Sequence, residues 1–137
     1  MKTPRKKSPH RKAAQLRGPD VILDFVFDRG LLFISIKNIG DQPAFAVRVQ
    51  FSSRLMGIEG TKEISALPLF HNLEFLPPQK EIVTFLDTSA SYFGSGQATD
   101  ISARITARDS NGVRRVVTIR HNLEIYREIG YINRHEP

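Results

Sequence analysis

From position 20 onward, apolar and polar side chains alternate along the chain with a period of two. Val21, Leu23, Phe25 and Phe27 share one side of a run that ends at Asp28-Arg29-Gly30, a short turn. Leu32, Ile34 and Ile36 alternate with Phe33, Ser35 and Lys37 in the next run. After the turn formers Asn38-Ile39-Gly40-Asp41-Gln42-Pro43, a third run places Phe45, Val47, Val49 and Phe51 on one face and Ala46, Arg48, Gln50 and Ser52 on the other. Alternating runs joined by tight turns predict a hairpin-rich β protein.

The pattern loosens between Ser53 and Gln79. Gly57 and Gly60 frame a loop, residues 64–67 are expected to form a short edge strand, and Pro68, Pro77 and Pro78 exclude central strands nearby. A further strand spans 80–87, followed by a loop rich in Ser and Gly over 88–99. Ile101, Ala103, Ile105 and Ala107 then alternate with Ser102, Arg104, Thr106 and Arg108. Asp109-Ser110-Asn111-Gly112 predicts a hairpin that returns through 113–121, because Asn-Gly readily adopts positive φ. Leu123, Tyr126 and Ile129 have helical spacing, with Asn122 as a candidate cap and Gly130 as a stop.

About seven strands with turns near every tenth residue, and no long helical crossovers, imply an all-β fold. The expected architecture is an immunoglobulin-like two-sheet antiparallel sandwich over residues 20–137, with a short C-terminal helix folded back on it. Residues 1–19 hold three prolines and almost no apolar side chain, and are expected to be a disordered basic tail.

Two short motifs carry a family resemblance. Asn38-Ile39-Gly40, then Pro43-Ala44 and Val47-Arg48-Val49, resembles the corner between the second and third strands of bacterial immunoglobulin-like modules of the CARDB and fibronectin type III kind. Leu76-Pro77-Pro78-Gln79 is similar to the lead-in to a later strand of those modules, with Gln79 where glycine is usual. The resemblance covers residues 20–122 and implies an accessory or adhesion-type binding module.

Charge divides the chain in two. Lys2, Arg5, Lys6, Lys7, Arg11, Lys12 and Arg17 give the first 18 residues seven cations and no acid, leaving 13 cations against 14 acids beyond them. The basic segment offers a site for nucleic acid or anionic lipid, although such extensions also serve simply as solubilising ends. The chain has no cysteine, which excludes disulfides and thiolate metal sites and suits a reducing compartment. No run of about 18 apolar residues and no signal-peptide core is visible, so a cytoplasmic location is expected.

Catalysis requires a nucleophile, a base and an orienting group that converge. The four histidines, His10, His71, His121 and His135, are scattered singly without metal-ligand spacing. Gly94-Ser95-Gly96-Gln97 lacks the helix start or lysine of a phosphate cradle, and Asp109 to Gly112 lacks the distal Glu of a calcium loop. Neither an enzyme nor a bound cofactor is expected.

Two surfaces remain as candidates for binding. If the strands at 44–53, 100–109 and 113–121 share a sheet, parity places Arg48, Arg104, Arg108, Arg114 and Arg120 on one outward face. Arginine makes bidentate contacts with carboxylates and phosphates, so this face suits an anionic partner; equally, it is what a solvated sheet face looks like. The apolar stretch from Leu69 and Phe70 to Phe75, joined by Tyr92 and Phe93, either closes one end of the core or presents a docking patch. The expected function is non-enzymatic binding or scaffolding of a protein partner through loops or a sheet face. The alternative is a nucleic-acid-associated protein that uses residues 1–18 with the arginine face.

Overall fold

A computed structural model describes residues 17–134 of the chain, and the side chains of residues 17–129. β1 (Val21–Asp28) and β2 (Leu31–Asn38) form a hairpin through Arg29 and Gly30, whose φ angles of 52° and 82° are those of a two-residue turn matched to strand twist. β7 (Glu81–Thr88) pairs with the far side of β2, completing a three-stranded sheet in the order β1-β2-β7. A second, four-stranded sheet contains β3 (Ala44–Phe51), β6 (Leu73–Leu76), β8 (Asp100–Arg108) and β9 (Arg114–Asn122), in the order β6-β3-β8-β9. All these pairings are antiparallel. The chain crosses between sheets after β2, β6 and β7, which makes the domain an immunoglobulin-like sandwich of seven principal strands. Two-residue strands β4 (Met56–Gly57) and β5 (Lys62–Glu63) form a small ribbon beside it.

The core lies between the two sheets. Val21, Leu23 and Phe25 from β1 and Leu32, Ile34 and Ile36 from β2 face Val47 and Val49 from β3 and the inward residues of β8, all buried. Ile101, Ala103, Ile105 and Ala107 show why one face of β8 reads apolar at every second position. Burying each large aliphatic or aromatic side chain contributes about 1.5–3 kcal/mol, so this double layer is the main source of stability.

Asn38 fixes the first crossing between sheets. Fully buried, its Oδ1 accepts from the N–H groups of Asp20 and Gly40 (both 3.0 Å), while its Nδ2 donates to the carbonyls of Gln42 (2.8 Å) and Leu76 (3.0 Å). One side chain thereby satisfies two donors and two acceptors from three segments. Gly40 is required because a Cβ there would stand 2.1 Å from the Gly18 carbonyl oxygen. Gln79 adopts φ 66°, and its amide donates to the carbonyls of Ile39 (3.3 Å) and Gly40 (3.2 Å). Glutamine thus occupies a left-handed position and bonds back to the Asn-x-Gly corner.

Several expectations change. Residues 64–67 are not a strand: Ile64–Ala66 forms a 3₁₀ turn. Inside the apolar stretch lie α1 (Pro68–His71), with proline at its start, and the edge strand β6. The loop after β7 contains α2 (Ser89–Gly94), capped by the Thr88 hydroxyl accepting from the Ser91 N–H at 3.1 Å. α3 (Ile125–Arg134) runs past Gly130 rather than ending there. Asn122 holds the approach to it, its Oδ1 accepting from the Glu124 N–H at 3.0 Å. The folded unit starts before position 20: Gly18 and Pro19 are buried, and the Gly18 N–H donates to Asp41 at 2.8 Å. The tail reading for residues 1–16 lies outside the described residues. Among the described residues no helix is long and apolar enough to cross a membrane.

Candidate binding face

The outward side of the four-stranded sheet is set by register. Arg48 stands opposite Thr106, Gln50 opposite Arg104, Arg104 opposite Thr118, Ser102 opposite Arg120, and Arg108 opposite Arg114. Their inward neighbours on β3 and β8 are buried, so all five arginines anticipated from parity emerge on one face.

The five are not equivalent. Arg48 is committed to the fold: its guanidinium donates to the carbonyls of Val47 (2.9 Å) and Leu73 (3.3 Å) and pairs with Glu74 at 2.9 Å, tying β3 to β6. Arg120 lies 3.6 Å from Asp100, an exposed pair that contributes little. Arg104, Arg108 and Arg114 are exposed and have no carboxylate within 4 Å among the described residues. Among the described residues the Arg108 side chain bonds only the Gly112 carbonyl at its own hairpin, at 3.1 Å. A hollow of about 250 Å³ opens between β3, β8 and β9, lined by Ala46, Arg48, Thr106, Ala107, Arg108 and Arg114.

A bulge in β3 gives this face an aromatic component. Alternation predicts Phe45 on the buried side with Val47, but the pairing with β8 slips between Phe45 and Arg48, and Ala46 takes φ 51°. The bulge rotates Phe45 to the side of Arg108 and leaves Val47 buried. Phe45 packs on Phe75 of β6 with ring centres 5.4 Å apart, and Phe75 is 51% exposed. Val116, 47% exposed, adds an apolar side chain on β9. The face therefore combines unpaired guanidinium groups with an exposed apolar strip.

The loop candidates part company. Phe70 is fully buried and packs edge-on to Phe51 at 5.0 Å, and Leu69 packs against the core beside it. Tyr92 is fully buried too, its hydroxyl donating to the Ala98 carbonyl at 2.5 Å; burial, and then the charge of Asp87, push its pKa up to about 12. Phe93 lies under the Arg127 guanidinium of α3 at 4.6 Å. These residues close the core, and Phe75 alone of the five is left exposed, on the sheet face. β6, a four-residue edge strand ending before Pro77, is too short to show a period, which is why Phe45 and Phe75 are not legible as a pair in the sequence.

Elsewhere the chemistry is sparse. His71 Nε2 lies 3.0 Å from the Ser65 carbonyl, and His121 packs its ring edge-on to Phe25 at 5.0 Å. Asp87 is buried and accepts from the N–H groups of Glu59 (3.1 Å) and Thr88 (2.8 Å), fixing a left-handed turn at Ile58 and Glu59. Among the described residues no three His, Asp or Glu side chains group to hold a metal ion. A cleft of about 210 Å³ between the start of β1 and β9 has an apolar floor of Val21, Ile105 and Ala107, with Arg115 at its rim donating to the Arg17 carbonyl at 3.4 Å.

A family model described as a domain of unknown function, DUF8453, matches residues 3–127. The chain belongs to the DUF8453 family. The match spans β1 to β9 and enters α3, so the arginine face lies wholly within the DUF8453 region. No curated protein and no solved structure matches this DUF8453 chain.

Proposed function

We propose that this DUF8453 domain is a non-enzymatic binding module that takes an acidic protein surface on the outer face of its four-stranded sheet. One observation carries the reading: Arg104, Arg108 and Arg114 project together from β8 and β9 with no carboxylate within 4 Å among the described residues, two of them directly opposed. Like charges across a strand pair are destabilising, so an arrangement of this kind favours an anionic partner over bare solvent. Phe45, Phe75 and Val116 support a protein as that partner, since aromatic and arginine side chains together characterise protein interfaces. The resemblance of the Asn38-Ile39-Gly40 corner to CARDB and fibronectin type III modules points the same way, toward an accessory recognition role.

The second reading is nucleic-acid association through the same arginines and the seven cations of residues 1–18. Titration of fluorescent poly-glutamate and of a generic DNA duplex over a salt series separates the two. The proposal expects poly-glutamate binding to survive removal of residues 1–16 and to weaken about tenfold in Arg108→Gln/Arg114→Gln. DNA bound more tightly than poly-glutamate at physiological salt, through those same arginines, would transfer the face to the second reading.

A further inference from the structure

The outer face of the three-stranded sheet is the counterpart of the arginine face. Register places Asp24 opposite Ser35, Val26 opposite Phe33, Phe33 opposite Phe85, Ser35 opposite Val83 and Lys37 opposite Glu81, with the alternate residues of β1 and β2 buried. Its centre is apolar: Phe33 and Phe85 pack edge-on at 5.7 Å, beside Val26 (37% exposed) and Val83 (51% exposed). Its charges carry a small acidic excess, with Asp24, Asp28 and Glu81 against Lys37 and against Arg29, which lies 3.7 Å from Asp28. On the opposite side of the molecule five arginines outnumber the two acids paired with them, Glu74 and Asp100, and the exposed apolar strip is again centred on a phenylalanine pair.

We infer that the acidic surface taken by the arginine face is the three-stranded face of a second copy of this chain. This rests on the reading of the arginine face given above. Charge selects the geometry: two arginine faces repel each other, as do two acidic faces, whereas one of each attracts. Sheets pack face to face about 10 Å apart, so the two phenylalanine pairs come into contact in such a stack. The contact is heterologous, each copy offering one face to the copy before and the other to the copy after, so it extends into open chains rather than closing as a two-fold dimer. Three strands of eight residues present a surface of roughly 26 by 14 Å. An interface of that size is at the weak end of specific association, and its ionic part fades with salt.

Sedimentation of the full chain over a concentration series, at low and high salt, tests this directly. The expected result is a weight-average mass that rises continuously with concentration at low salt and falls back to the monomer at high salt. Two charge-neutralised variants sharpen it: Arg104→Gln/Arg108→Gln/Arg114→Gln keeps only the acidic face, and Asp24→Asn/Asp28→Asn/Glu81→Gln keeps only the basic one. Each alone stays monomeric, and an equimolar mixture forms one-to-one dimers and nothing larger. Unmodified chain that remains monomeric at every concentration overturns the inference whatever the variants do. If poly-glutamate still binds that monomer through Arg108 and Arg114, the acidic-partner reading stands and the second copy is excluded; if it does not, both fall.

Discussion

Arg108 and Arg114 face each other directly across the β8–β9 hairpin, the pair nearest its turn, and neither has a carboxylate within 4 Å among the described residues. The turn leaves them little choice. Asp109 spends its Oδ1 on the N–H groups of Asn111 and Val113 (both 2.9 Å), and its Oδ2 lies on the side of Arg115, at 3.8 Å. The acid closest in sequence is therefore used to shape the hairpin, and the two guanidinium groups are left without a carboxylate partner among the described residues.

Opposed arginines imply a trade between stability and binding. Arg114→Thr removes the repulsion and introduces a side chain suited to strands, so thermal unfolding is expected to shift upward, by about 0.5 kcal/mol. The same variant is expected to bind poly-glutamate more weakly than the parent. A loss of stability in calorimetry, with binding unchanged, would count against the assignment.

Asn38 supports the sandwich more than any other polar residue described. Asn38→Ala abandons four side-chain hydrogen bonds at a fully buried site and strands two backbone donors and two acceptors. The expected cost is at least about 3 kcal/mol in denaturant unfolding. Asn38→Asp keeps the acceptor oxygen for Asp20 and Gly40 but loses both donated bonds, and should fold with stability between the two.

Gln79 and Gly40 test the same corner from opposite directions. Gln79→Gly relieves a left-handed residue while losing two partly exposed bonds, so its stability should stay within about 1 kcal/mol of the parent. Gln79→Ala keeps the strain and loses the bonds, and should be about 1 kcal/mol worse than the glycine variant. Gly40→Ala forces a backbone shift against Gly18 and Asp20, with an expected cost of about 3 kcal/mol.

Tyr92 sets an alkaline limit. Its pKa is raised to about 12 by burial and by Asp87, against an ordinary value near 10, so the folded state holds the phenolic proton more tightly than the unfolded chain. That stabilisation is complete below pH 10 and is lost as pH rises from 10 to 12, a loss of up to about 3 kcal/mol. Tyr92→Phe lowers stability at neutral pH by removing the bond to Ala98, yet its unfolding free energy should decline less steeply between pH 10 and 12. Parallel pH profiles for the two proteins would contradict the role given to this hydroxyl.

The strands with two-residue alternation were legible because one face of each is buried and the other wet. β1 and β8 follow that rule residue by residue, β2 departs from it at Ser35, which is buried although it lies on the outer face, and the parity of Arg104 and Arg108 on β8 survives unchanged. β3 breaks it at Ala46, since a bulge depends on pairing with a neighbouring strand and leaves no mark in local periodicity. β6 was illegible for a related reason: an edge strand of four residues, between a helix and Pro77, is too short to show a period. α2 is likewise made by a cap, the Thr88 hydroxyl, rather than by an apolar stripe. Pairing of Arg48 with Glu74, which takes one of the five arginines out of the candidate face, depends on that same unseen strand.

Chemical-shift mapping of the isotope-labelled protein during titration with a short poly-glutamate peptide addresses the central claim most directly. The account predicts perturbations concentrated on Arg104, Arg108, Arg114 and Phe75, with the outer face of β1, β2 and β7 unchanged at low protein concentration. Perturbations confined to residues 1–16, or spread evenly over both sheets, would contradict it.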